Sequence, residues 1–135
     1  MKAAYIDQPG PPQNIHYGDL PLPSMGKRDV LVKVLAVDVN AVDTYIESGR
    51  FKIPLPFPFI IGRDVTGIVV RVGNATIEEL GHYAEQINRW ASKGMLKGKI
   101  AQKLPLSQAA KAYQIYETQD LFGKLVLSPE WEANE

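Results

Sequence analysis

Two apolar runs of strand character, separated by a proline-rich stretch, limit what this chain can fold into. Val30–Val39 (VLVKVLAVDV) and Asp64–Val72 (DVTGIVVRV) are rich in β-branched residues, which favour strands. Between them, prolines at alternate positions make Lys52–Pro58 (KIPLPFP) extended and exclude a helix there. Because both faces of the first run are largely apolar, we expect that strand to be buried on both sides or to lie in a closed barrel.

Further elements follow from local signals along the chain. We predict shorter strands at Lys2–Ile6, Ile15–Leu20, Ile100–Leu104 and Gly123–Leu127. Capping and periodicity predict a helix over Ala41–Ser48 between Asn40 and Gly49, an amphipathic helix over Glu78–Lys93, and a helix over Gln108–Glu117 capped by Ser107.

The order of these elements indicates the fold class. The chain is rich in predicted strands before about residue 74 and richer in helix after about residue 76. Gly67 lies inside a predicted strand, where glycine often marks a bulge or a close backbone approach. We therefore predict an α+β, mainly β fold with two or three peripheral helices.

Composition excludes several classes of function. Fifteen basic and fifteen acidic residues cancel, so no field favours nucleic acid or an anionic membrane. The chain has no cysteine and two histidines, His16 and His82, which excludes thiolate chemistry and a histidine-rich metal site. No apolar run approaches the ~20 residues of a membrane span, and no signal peptide is visible, so we expect a cytoplasmic protein.

Two segments resemble the zinc-free quinone oxidoreductases of the medium-chain dehydrogenase/reductase family. The first runs from Met1 to about Thr76 and contains AVDVNAVDTYIESG and GRDVTGIVVRVG. The second, about Leu96–Pro129, contains LPLSQAAKAYQIYETQDLFGKLVLSP. The resemblance implies a GroES-like, partly open β-barrel and NADPH-dependent reduction of a quinone or enone. Zinc-dependent relatives carry a cysteine where Asn40 stands and a His-Glu pair where Arg63 and Asp64 stand, so the resemblance implies no metal.

The resemblance also points to candidate site residues. Asn40, Asp43 and Tyr45 match the segment that reaches the nicotinamide side of the family's cleft, where a side-chain donor would stabilise the oxyanion formed on the substrate. Lys124 is a weaker candidate for binding the cofactor. Structural roles compete with these: Asn40 as a helix cap, Asp43 as a first-turn anion and Tyr45 as a packing residue. For Arg63 and Asp64 an ion pair or a turn is favoured over a site role.

In the family a dinucleotide-binding Rossmann domain separates the two segments. Here residues 1–76 and 77–135 follow each other directly, and no glycine-rich dinucleotide fingerprint occurs. We therefore expect one GroES-like domain built from two segments, without a Rossmann domain. A natural loss, an engineered deletion and a fragment all remain compatible with the sequence, as does either NADPH or NADH as the family cofactor.

Three functions are compatible with these observations. In the first, the chain is the substrate domain of an NADPH:quinone oxidoreductase-like protein. This domain is inactive in hydride transfer on its own and binds no cofactor tightly. Alternatively, it is a non-catalytic binding or self-assembling module, a homodimer joined through exposed strand edges or apolar surface. A longer product would act as a full quinone reductase.

Overall fold

The computed structural model describes residues 1–27, 29–73, 92–93 and 99–129. Within these ranges the backbone is mostly strand, with two α-helices and short 3-10 turns at Pro12–Asn14 and Leu106–Gln108. The strands are β1 (Lys2–Ile6), β2 (His16–Asp19), β3 (Val30–Val39), β4 (Phe59–Ile60), β5 (Val65–Val72), β6 (Ile100–Pro105) and β7 (Lys124–Ser128), and the helices are α1 (Ala41–Glu47) and α2 (Ala109–Thr118).

The strands form two sheets. The smaller sheet has the order β2-β1-β4, and both pairings are antiparallel. The larger sheet has the order β5-β3-β7-β6, in which β3 pairs antiparallel with both β5 and β7, whereas β6 and β7 are parallel. The predicted mainly β, α+β fold of GroES-like type is confirmed, and the two sheets do not close into a barrel.

The hydrophobic core lies where the two sheets and α2 meet. Ile6 of β1, Val39 of β3 and Leu125 of β7 are almost completely buried, as is Tyr113 of α2. A buried side chain of this size contributes roughly 1.5–3 kcal/mol of transfer free energy. Since β7 comes from the C-terminal part of the chain, the core requires both parts of the sequence.

The prediction that β3 is buried on both sides is wrong. Most of its side chains are only partly buried, and Val39 at its end is the one that reaches the core. Within the described residues, β3 is central in the larger sheet, whereas β5 beside it is an edge strand that is highly exposed. The apolar pattern on both faces of β3 therefore does not correspond to full burial of either face.

Gly67 marks a close backbone approach, as its place inside a strand predicts. It pairs with Val34 of β3, next to a register irregularity between Val34 and Ala36. A Cβ at Gly67 would collide with the backbone carbonyl oxygen of Lys33. The absence of a side chain thus lets β5 lie close against the irregular part of β3.

The remaining helix predictions had different outcomes. The helix after Asn40 is confirmed, and Gly49 behind it has a positive φ of 75°, which suits glycine at a helix end. The prediction that Ser107 is an N-cap is wrong, because Leu106–Gln108 form a 3-10 turn and Gln108 is the cap of α2. The helix predicted over Glu78–Lys93 lies largely outside the described residues.

Among the helices in the described ranges, none is long and apolar enough to cross a membrane.

Candidate functional site

The junction between β3 and α1 places Asn40 at one end of the larger sheet. Asn40 has extended backbone angles, φ −121° and ψ 160°, and is the N-cap of α1. Its backbone N–H donates to the Asp43 carboxylate at 3.0 Å, so the third residue of the helix satisfies the amide of the cap residue. This contact fixes where the Asn40 side chain leaves the backbone.

The Asn40 side chain connects three parts of the chain. Its amide nitrogen donates to the Asp64 carboxylate at 3.0 Å, and its carbonyl oxygen accepts from the Lys124 ammonium at 2.6 Å. The Lys124 ammonium also lies 3.4 Å from the Asp38 carboxylate. Asn40 and Lys124 are 84 positions apart in the sequence, yet the pairing of β3 with β7 brings them together.

An open groove of about 490 Å³ lies beside this contact. Val39, Asn40 and Lys124 form one part of its lining, and the rest consists of Lys99, Tyr116, Phe122 and Gly123. The Lys99 ammonium lies 4.0 Å from the centre of the Phe122 ring, a cation–π geometry, and Phe122 is 81% exposed. The groove thus presents two lysines, two aromatic rings and one amide to the same space.

The structure brings together only some of the predicted site residues. Asn40 and Lys124 share the groove, but Asp43 and Tyr45 are not among the residues that line it. Asp43 is 2% exposed and points beneath α1, whereas Tyr45 is 45% exposed on the surface of that helix. The local signal placed α1 correctly but could not tell which of its side chains face the groove.

Sequence reasoning missed Lys99, Phe122 and Tyr116 as groove residues, although Tyr116 also packs against the core. Lys99 precedes β6, and Phe122 lies in the loop that leads to β7. Because β6 and β7 are parallel, their beginnings meet at the same edge of the sheet. The pairing of Lys99 with the Gly123–Lys124 turn, through a backbone hydrogen bond of 2.7 Å from Lys124 N to Lys99 O, is a long-range contact that no local pattern predicts.

Arg63 and Asp64 lie near α1. The Asp64 carboxylate accepts from Asn40, as described above, so the segment that precedes β5 supports the candidate site. Burial raises the pKa of Asp43, and its bond from the Asn40 amide opposes this rise. Asp64 raises the pKa of Asp43 further, and the charge of Arg63 lowers it.

A second carboxyl, Glu47, is completely buried beneath the same helix. Neither of its side-chain oxygens has a hydrogen-bond partner among the described residues. Burial, reinforced by the charge of Glu117 and opposed by that of Arg50, raises the pKa of Glu47 to about 7. Burial also raises the pKa of Tyr113, and Asp43 and Glu47 add to that rise. A neutral Glu47 is therefore the form that suits the folded state below neutral pH.

The described residues contain no group of three or more His, Asp and Glu side chains arranged to hold a metal ion. The absence of a metal stays a prediction. His16 is a surface residue, as expected, with its ring nitrogen 3.7 Å from the Asp7 carboxylate. His82 lies outside the described residues.

Comparison with known proteins shows which families the chain is similar to. Residues 26–88 match the alcohol dehydrogenase GroES-like domain. A chloroplastic quinone-oxidoreductase, QR1 of Triphysaria versicolor, is 38% identical over 76 residues, which are 54% of this chain and 23% of that protein. The N-terminal part of the chain is therefore similar to the quinone oxidoreductases of the medium-chain dehydrogenase/reductase family.

Solved structures of oxidoreductases are similar to the structure of this chain. A quinone oxidoreductase of Escherichia coli complexed with NADPH has a TM-score of 0.52 at 25% identity, over 56% of this chain and 23% of that chain. An NAD-dependent alcohol dehydrogenase has a TM-score of 0.80 at 13% identity, over 95% of this chain and 99% of that chain, which shows the fold alone. This chain spans less than a quarter of the length of the two quinone oxidoreductases, at 23% of each.

The buried Glu47 predicts a pH-dependent stability. Its pKa in the folded state, about 7, lies above the ordinary value of 4.5, so the unfolded chain loses this proton at lower pH than the folded chain. Stability should therefore fall as the pH rises from about 4.5 to about 7 and change little from this group above that. We expect Glu47→Gln to remove this loss and to gain on the order of 2 kcal/mol at about pH 8.

Urea unfolding between about pH 5 and pH 8 measures this effect. Asp120→Asn is the control, because it removes an exposed carboxylate next to α2 that is not among the charges shifting the pKa of Glu47. The control should keep most of the pH dependence. Equal pH dependence in Glu47→Gln and the unsubstituted chain would contradict the assignment.

Proposed function

We propose that this chain is the substrate domain of an NADPH:quinone oxidoreductase-like protein, and that the Asn40–Lys124 groove receives the carbonyl of a quinone or enone. The observation that carries the proposal is the 2.6 Å contact between the Lys124 ammonium and the Asn40 carbonyl oxygen. This contact holds a cation at the mouth of an open groove that has an aromatic wall. The family relationship supports a quinone or enone as the substrate class.

The chemistry of such a reduction suits the side chains in the groove. When a hydride adds to an electron-poor carbon, the electron pair of the substrate C=O moves to oxygen, which becomes negatively charged. A Lys ammonium has three N–H donors, of which Lys124 directs one to Asn40 and another towards Asp38. The third has no partner among the described residues and can donate to the developing oxyanion, a stabilisation that strengthens in the transition state.

Asn40 has a positioning role in this proposal. Its amide nitrogen already donates to Asp64, and its carbonyl oxygen accepts from Lys124. Both ends of the side chain are thus engaged with protein groups. Asn40 therefore orients Lys124, and Lys124 replaces Asn40 and Tyr45 as the preferred oxyanion donor.

The hydride donor is best assigned to a separate nucleotide-binding unit. Bound NADPH supplies the hydride, and the E. coli relative is complexed with NADPH. The sequence contains no glycine-rich turn leading into a helix that would hold a pyrophosphate. In this proposal the groove binds the carbonyl substrate. Without a site for the pyrophosphate, the 135-residue chain transfers hydride at no useful rate on its own.

We propose further that residues 1–76 and 77–135 form one GroES-like domain. The support is the insertion of β7, from the second segment, between β3 of the first segment and β6 of the second. In the antiparallel pairing of β3 with β7, Val37, Asp38 and Val39 lie opposite Leu127, Val126 and Leu125.

Replacing Lys124 tests the substrate site. Lys124→Met keeps much of the side-chain length and removes the charge, so we expect the Kd of a neutral water-soluble benzoquinone to rise about tenfold. Chemical shifts of the Asn40 side-chain amide during a quinone titration give the Kd. Lys111→Met, which removes an exposed lysine from α2, is the matched control and should leave the Kd unchanged. Equal affinity in Lys124→Met and the unsubstituted chain would disprove the role of Lys124.

A second candidate function, a self-assembling module, is favoured by the exposed edge strand β5. Within the described ranges β5 has a hydrogen-bonded neighbour on one side, β3. Val65, Ile68, Val69 and Val70 of this strand are 53–55% exposed. A long apolar edge of this kind favours pairing with another strand, so we propose that two copies form a dimer through β5.

A charge on this edge should prevent such a dimer. Ile68→Lys introduces a positive charge at an exposed position of β5, and we expect it to abolish concentration-dependent dimerisation. Sedimentation velocity over a range of protein concentrations measures the oligomeric state. Val42→Lys, at a position of α1 that is 39% exposed, is the control and should remain dimeric. A monomeric unsubstituted chain at high concentration would eliminate this candidate.

A further inference from the structure

A second internal space, separate from the Asn40–Lys124 groove, lies between the two sheets. This inter-sheet cavity has a volume of about 160 Å³. Ala4, Leu106, Tyr113 and Leu127 line it and are buried, so they form its floor. Met1, Ile60 and Val65 also line it and are 41–53% exposed, so they mark its mouth.

Small residues keep this cavity open. Ala3 and Ala4 of β1 face it from the smaller sheet, and Val34 and Val37 of β3 face it from the larger sheet. Gly62 also lines it, with a φ of 91°, a conformation that disfavours any residue with a side chain. These small residues leave space between the larger side chains that line the cavity.

The charged residues along the cavity are engaged with partners. Lys2 forms an ion pair with Asp19 at 2.7 Å, and Asp38 lies 3.4 Å from the Lys124 ammonium. The remaining lining named above is apolar apart from the Tyr113 hydroxyl. A site of this kind offers water few of the two to four polar partners that a buried water needs.

We propose that the inter-sheet cavity binds one small uncharged aromatic ring. Apolar cavities of about 150 Å³ in other proteins stay dry and bind benzene, and the volume here is about 160 Å³. A ring would gain dispersion contacts with both sheets that an empty cavity lacks. The engaged charges disfavour an ionic ligand, and the volume favours one ring over two fused rings.

This binding site is independent of the proposed quinone reduction. Val39 lines both the cavity and the Asn40–Lys124 groove, but Lys124, Lys99 and Phe122 line only the groove. Loss of quinone binding in Lys124→Met would therefore leave the proposal for the cavity unchanged. Failure of benzene to bind the cavity would likewise leave the proposal for the groove unchanged.

Benzene and naphthalene are the probes for this site, with the 135-residue chain as the target. At a benzene concentration about tenfold above its Kd, we expect the Tm to rise by about 5 °C, because benzene binds the folded state alone. Naphthalene at the same concentration should raise it by less than about 1 °C. Methyl resonances of Ala4, Val34 and Leu127 should shift saturably with benzene.

A matched pair of variants locates the effect. Val34→Phe places a ring of the protein's own in the cavity and should abolish the benzene-induced rise in Tm. Val32→Phe, two residues away on β3 and not among the cavity-lining residues, should keep it. If Val34→Phe fails to fold, the methyl shifts of the unsubstituted chain decide alone. No saturable shift of these methyls, or shifts confined to residues that line only the groove, such as Tyr116 and Phe122, would overturn the proposal.

Discussion

The pairing of β3 with β7 is the interaction on which the rest of this structure depends. β7 comes from the C-terminal part of the chain and lies between β3 and β6 in the larger sheet. Its Leu125 is completely buried, and its Lys124 reaches Asn40 at the end of β3. Without this pairing the core would lose one of its central strands, and the groove would lose one of its two lysines.

The helix after β3 combines structural and electrostatic requirements in seven residues. The Asp43 carboxylate accepts from the Asn40 amide, which sets the start of the helix and the direction of the Asn40 side chain. Glu47, four residues later on the same face, is buried without a hydrogen-bond partner in the described part of the chain. The helix that fixes the Asn40 side chain thus also carries a carboxyl whose burial should make the stability of the fold depend on pH.

Local signals in the sequence predicted the elements well. β-branched runs predicted β3 and β5, and Asn40 with Gly49 predicted both ends of α1. Ser107 was a wrong cap because Pro105 is followed by a 3-10 turn, which moves the start of the helix by one residue. Glu47 could not have been predicted as buried, since a glutamate on a short helix is ordinarily exposed.

The sequence predicted only some of the residues that line the groove. Asn40 and Lys124 were predicted through family resemblance, and the structure places them in contact. Tyr45 is exposed on α1 and is not among the residues that line the groove. Lys99 and Phe122 meet through the parallel pairing of β6 with β7, and such long-range pairing has no local signature.

The most direct test of the account is a fluorescence titration of the 135-residue chain with NADPH, followed by addition of a quinone in the same cuvette. We predict that the chain shows no saturable binding of NADPH and that no NADPH is oxidised when the quinone is added. Saturable binding with NADPH oxidation at ordinary enzyme rates, about 1–1,000 per second, would contradict it. That result would show that this chain contains a complete active site, within one copy or between two.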